Sequence, residues 1–93
     1  MDYYLKDPAA SISYSFDWGS EYLLGQSVTA SRWAAAPVEA GGVSVVSSAL
    51  NATETSAQLA GGLAGHVYRI SNHVTFSDGR EDERALTLRV EER

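Results

Sequence analysis

The chain has 93 residues, enough for one small domain and not two. It has no cysteine, which excludes a disulfide scaffold and a cysteine-ligated zinc or iron–sulfur site. A net charge of −5 argues against sequence-independent nucleic-acid binding, because that binding needs Lys and Arg to neutralise phosphates.

The opening "MDYYLKDP" lacks the charged start and the apolar stretch of a signal peptide. No apolar run approaches the ~20 residues of a membrane span. These features imply a soluble protein made in a cytoplasm, with no membrane contact. Residues 1–7 suit a flexible arm or an edge strand, and Asp7-Pro8 gives an extended entry to the next segment. In "SISYSFDW" (residues 11–18), Ile12, Tyr14, Phe16 and Trp18 alternate with Ser11, Ser13, Ser15 and Asp17, as in a half-buried strand. In "GSEYLLG", glycines bracket Tyr22, Leu23 and Leu24, so this stretch reads as a loop plugging the core.

"QSVTASRW" (residues 26–33) is the next strand. Val28 and Trp33 differ in parity, so burying both requires a bulge or a strand end between them. Residues 34–42 read as a loop around Pro37. "VSVVSSAL" (residues 43–50) is rich in β-branched residues. "NATE" turns the chain into "TSAQL", with Thr55, Ala57 and Leu59 on one face. "AGGLAG" is a glycine-rich corner before the long strand 66–76, and residues 83–90 form the last strand. Six to seven short strands separated by turn signals imply an all-β antiparallel sandwich, one domain over residues 1–93.

The last two strands fix their own register. Tyr68, Ile70, Val74 and Phe76 are even-numbered and apolar, and so are Leu86, Leu88 and Val90. Directly paired residues share a face, so even must meet even and the loop must be odd in length. A two-residue Asp78-Gly79 turn fails this test. A three-residue loop, Ser77, Asp78 and Gly79, passes it as a type I turn followed by a left-handed Gly79. A five-residue loop is the alternative.

The corner "LAGGLAGHVYRI" resembles the tyrosine corner of fibronectin type III and other immunoglobulin-like domains. The matching residues are Leu63, Gly65 and Tyr68, with Ala64 where the fibronectin pattern has Pro. The resemblance implies a small immunoglobulin/fibronectin III-like sandwich with the Tyr68 hydroxyl bonded back to the corner. A second resemblance covers nearly the whole chain. "YLKDPAASISYSFDW", "SVVSSALNATETSAQLAGGLAG" and "SNHVTFSDGREDERALTLRVEER" resemble small virion-structural proteins from the fibre-related and head–tail gene clusters of tailed phages and prophages. This implies a non-enzymatic structural or assembly protein with other virion proteins, and itself, as partners. Its place would be the virion, or the bacterial host cytoplasm before assembly. Tyr3, Tyr4, Asp78 and Arg80 are candidate partner contacts.

No chemistry competes with that reading. His66 and His73 differ in parity and cannot flank one ligand on a regular strand. The acids of "SDGREDER" lack the ligand order of a calcium loop, and Arg80 and Arg84 interleave with them. Ser71, His73 and Asp78 have no nucleophile-elbow context. "GGLAG" lacks the lysine of a phosphate loop, and no cofactor is expected. The remaining alternative is a carbohydrate- or cell-surface-binding module, with Tyr14, Phe16, Trp18, Tyr22 and Trp33 as a stacking platform. The competing reading places these rings in the core.

Overall fold

A computed structural model describes residues 2–19 and 25–92, excepting the side chains of Asp2 and Tyr3. Tyr22, Leu23 and Leu24, the expected loop plug, lie outside the described residues. Among the described residues seven strands form: β1 (Asp2–Lys6), β2 (Ile12–Asp17), β3 (Val28–Ala36), β4 (Ser44–Leu50), β5 (Glu54–Ala60), β6 (Val67–Phe76) and β7 (Glu81–Val90). They make a four-stranded sheet, β1-β7-β6-β3, facing a three-stranded sheet, β2-β5-β4. The all-β sandwich expected from the turn spacing is present, with one departure. β1 pairs with β7 in parallel, so the first sheet is mixed. The β4–β5 and β6–β7 connections are hairpins, whereas the other links cross between sheets.

Alternation decides which side chains go inside. Along β6 the even positions from Tyr68 to Phe76 are all buried, and Leu86, Leu88 and Val90 of β7 meet them. Tyr68 pairs with Leu88 and Ile70 with Leu86, so even meets even. β2 contributes Phe16, β5 contributes Ala57 and Leu59, and Trp18 closes the core just past β2. The parity conflict in β3 is resolved by a bulge: Val28 pairs with Phe76 but Ala30 with Thr75, leaving Thr29 as the extra residue. Val28 is then buried, and Trp33 turns inward to lie parallel to the Phe16 ring, centroids 5.5 Å apart. β4 carries a second bulge, between Val45 and Ser47.

The end of β3 differs most from expectation, while β7 begins at Glu81 rather than at residue 83. Ala34, Ala35 and Ala36 belong to β3 and pair with Ser71, Ile70 and Arg69. Alanine is a poor strand former alone, but the long β6 offers it a ladder that overrides propensity. The loop therefore begins at Pro37. It packs against the corner before β6, where Gly41 O accepts the Gly62 N–H at 2.9 Å. Gly62 has φ +113°, and a Cβ there would sit 2.6 Å from a Val90 methyl, so only glycine fits.

A polar chain crosses this apolar interior. The Trp18 indole N–H donates to Thr55 Oγ1 at 2.9 Å, and the Thr55 hydroxyl donates to Asn72 Oδ1 at 2.6 Å. Asn72 Nδ2 donates to Ser31 Oγ at 2.8 Å and to Arg32 O at 2.9 Å. Trp18, Thr55 and Asn72 are all 0% exposed, so each of these donors depends on its protein partner.

Replacing Asn72 with Ala strands the Thr55 hydroxyl and removes the bonds to β3. We expect Asn72→Ala to cost on the order of 2–4 kcal/mol of unfolding free energy, measured by urea denaturation. A loss below about 0.5 kcal/mol, the range of a neutral surface change, would show that the chain of bonds is dispensable.

Candidate functional site

The corner residues Leu63, Gly65 and Tyr68 come together at one end of the sandwich. Tyr68 is fully buried, and its hydroxyl accepts the Leu63 N–H at 3.1 Å. The same hydroxyl donates to Glu39 Oε1 at 2.7 Å, and His66 Nδ1 lies 2.8 Å from that oxygen. Gly65 N–H donates to Val90 O at 2.7 Å, tying the corner to the end of β7. Glu39 thus pins the loop after β3 onto the corner. The hydrogen bonds from Tyr68 and His66 hold its carboxyl below the ordinary value of 4.5. Burial, then the bond to Glu39, pushes the Tyr68 hydroxyl up.

The opposite end carries the hairpin residues Ser77, Asp78 and Gly79. Gly79 N–H donates to Phe76 O at 2.9 Å, and Phe76 N–H donates to Arg80 O at 2.8 Å, so residues 77–79 form the loop. Gly79 has φ +89°, a left-handed conformation that glycine adopts without a steric penalty. The tip is exposed but clamped. Ser77 N–H donates to Ser27 O at 2.8 Å, Ser27 N–H donates to Ser77 Oγ at 3.0 Å, and Gln26 Nε2 donates to Asp78 Oδ2 at 3.2 Å. The Arg80 backbone N–H, followed by its guanidinium and by Gln26, holds the Asp78 carboxyl below its ordinary value.

The two ends differ in character. Around the corner, Val38 is 94% exposed, with Leu63 and Val67 also open to solvent. Leu5 and Val67 flank Arg89, since both pair with it. The hairpin end instead carries the paired Asp17 and Glu54 together with Asp78, Glu81 and Glu83, beside the exposed Leu50. There the Arg84 guanidinium lies inward, 4.8 Å from the Phe16 ring centroid and 5.7 Å from that of Trp18. Between the edges of β3 and β4 runs a cleft of about 280 Å³, lined by Trp33, Val38, Val43 and Val45.

The histidines stand apart: His66 sits at the corner, and His73 lies on the outer sheet face, 2.5 Å from Glu81 Oε1. Among the described residues no group of three or more His, Cys, Asp or Glu is placed to hold a metal ion. Among the described residues the aromatic rings do not form an open platform, and Tyr22 lies outside them. Phe16 and Trp18 are buried, Trp33 is covered by Phe16, and Tyr4 packs on Tyr14 with centroids 4.7 Å apart. Tyr4 remains 40% exposed on the β1 edge, while the side chain of Tyr3 lies outside the described residues.

In a comparison with protein families, residues 6–89 match the family described as Podophage GP4 fiber-tail adaptor protein gp77. The chain belongs to this family. It is a phage or prophage virion structural protein, non-catalytic, with a protein–protein role in virion assembly. No curated protein matches it. In this adaptor-family chain, sequence reasoning missed Glu39, whose role comes from a contact made across 29 residues to Tyr68. It also missed Lys6, buried at 1% exposure, whose Nζ donates to Gly61 O at 2.6 Å and to Asp7 O at 2.9 Å. Desolvation lowers the Lys6 pKa, with Asp7 opposing.

Glu39 and Asp78 share a pH signature. A carboxyl with a depressed folded-state pKa adds stability above its unfolded value and loses it as pH falls through the folded value. Both ends of the adaptor-family chain should therefore loosen on acidification, below the ordinary values of 4.5 for Glu39 and 3.8 for Asp78. Side-chain carboxyl NMR titration should place Glu39 below 4.5, and Tyr68→Phe should move it back up. An unchanged Glu39 titration in Tyr68→Phe would rule out the hydroxyl as its main stabiliser.

Proposed function

We propose that this chain is a joint between a tail fibre and the tail of a phage particle, with residues 1–93 acting as one domain. The observation that carries the reading is the family match over residues 6–89. The contrast between an apolar and an acidic end supports it, because a joint has to meet two different neighbours. The apolar end, around Val38, Leu63 and Val67, suits a desolvated contact. The acidic end, with Asp78 and Arg80 at its tip, suits a polar contact whose charges set register and partner choice. Tyr4 on the β1 edge is a further contact.

Its partners are other virion proteins and copies of itself. Nucleic acid is a poor partner for a chain of net charge −5, and among the described residues no helix is long and apolar enough to cross a membrane. The place of action is the virion, reached from the host cytoplasm. The fibronectin III-like kinship of the sandwich is supported by the bond between Tyr68 and the Leu63 backbone.

Mass spectrometry of purified particles tests the reading. Peptides of this chain should appear in fixed ratio to the tail proteins. Their absence from intact particles, with the chain present in the lysate, would refute it. At the apolar end, Val38→Asp should fold like the parent, since Val38 is 94% exposed. Its incorporation into particles should fall about tenfold, the effect of one contact residue worth roughly 1.4 kcal/mol.

A further inference from the structure

We propose that β1 is an exchange strand: β1 of one copy adds to β7 of a second copy, in the register it takes within its own chain. The proposal rests on the reading that copies of the chain meet in a particle, and it names the segment through which they do so.

The first observation is the composition of the core. The buried cluster draws on β2, β3, β5, β6, β7 and their flanks, with Ile12, Tyr14, Trp33, Ala35 and Val45 packed against it. No described side chain of β1 belongs to it. The strand meets the rest of the sandwich through Lys6, 1% exposed, and through Tyr4, which packs on Tyr14, and a second copy offers both side chains the same surroundings.

The second observation is what holds β1 in place. It pairs in parallel with β7 from Asp2↔Leu86 to Lys6↔Val90, without a register shift. Glu91 N–H donates to Lys6 O at 2.9 Å, and Lys6 Nζ reaches Gly61 O at 2.6 Å. These acceptors and donors belong to β7, to the residue after it and to the corner after β5. A second copy presents the same atoms in the same arrangement, so exchange replaces each of these bonds with an identical one. The segment therefore has a ready receptor: the site that already fits it in its own chain.

The third observation is the connection. Residues 7–11 link β1 to β2 through a turn closed by Ala10 N–H to Asp7 O at 3.0 Å and Ala9 N–H to Asp7 Oδ1 at 2.8 Å. Opening this turn is the local change that exchange requires. When copies are held side by side, the high effective concentration of a neighbour's β1 favours the step. The edge strands β3 and β4 both carry bulges, which twist an edge away from regular pairing, whereas the β7 edge beneath β1 is regular, as is the edge strand β2.

Single-cysteine variants test this directly, because the chain has no cysteine of its own. Leu5 pairs with Arg89, and both are well exposed. Leu5→Cys and Arg89→Cys chains are mixed, unfolded and refolded together at high concentration, then oxidised. Exchange predicts a mixed disulfide in clear excess over either self-pair. A mixed disulfide no more frequent than the self-pairs overturns the proposal, whether the free edge then meets a different virion protein or nothing. Circular dichroism confirms that both variants fold. A chain lacking residues 2–5 provides the second measurement. It should keep its thermal transition but lose the concentration-dependent dimer that the full chain shows in light scattering. Equal dimerisation of the two chains, or no dimer from either, also overturns the proposal. None of these readouts depends on particle incorporation, so failure here leaves the joint function to be judged by particle mass spectrometry alone.

Discussion

The hydrogen bond from Thr55 to Asn72 is the constraint on which the sandwich turns. Thr55 belongs to the three-stranded sheet and Asn72 to the four-stranded one, so this 2.6 Å contact ties the two layers together. Apolar faces alone attract without direction and tolerate sliding. A buried donor does not tolerate it, because each unpaired group costs the desolvation that water would have offset. With Trp18 donating to Thr55, and Asn72 donating twice to β3, the alignment of the sheets is fixed by buried groups that rely on one another. The Phe16–Trp33 stack and the Arg84 guanidinium over Phe16 and Trp18 then fill the space this alignment leaves.

Much of this frame is legible in the residues. Parity along β6 and β7 predicts their pairing, and the conflict between Val28 and Trp33 requires a bulge or a strand end, of which the bulge at Thr29 is found. The same rule places Asn72 inward, among Ile70 and Val74, yet a search for apolar rows passes over it. A polar residue in an otherwise apolar row is the available signal for the buried chain. The parallel partner of β1 is not legible. "DYYLK" has no clean alternation, and nothing local selects β7 over the neighbouring β2. Ala34, Ala35 and Ala36 look like loop because alanine reveals nothing about a ladder supplied by a distant strand.

The surfaces are less legible than the core for a related reason. Leu63 and Tyr68 lie five residues apart and form a recognisable local pattern, and Asp78-Gly79 is a turn signal in itself. Val38, Leu63, Val67 and Leu5 come from separate loops and strands, and the fold alone makes them neighbours of one end. Lys6 shows the limit of residue type as a guide. Its charge suggests solvent, but its stem crosses to the corner carbonyl of Gly61 and leaves 1% of the residue exposed. Family membership, likewise, is suggested by the wording of the whole chain rather than by any single motif.

The shape of the body has a mechanical side. The molecule measures 42 × 21 × 17 Å, and a ten-residue strand such as β6 spans roughly 33 Å. The strands therefore run along the long axis, from the corner to the hairpin tip. A fibre tugged by flow or by a moving host surface would pull along that axis if it were tethered at one end while the tail held the other. The ladder bonds lie across the load, so they share it in shear and must give way together, whereas a pull across the strands would unzip them one at a time.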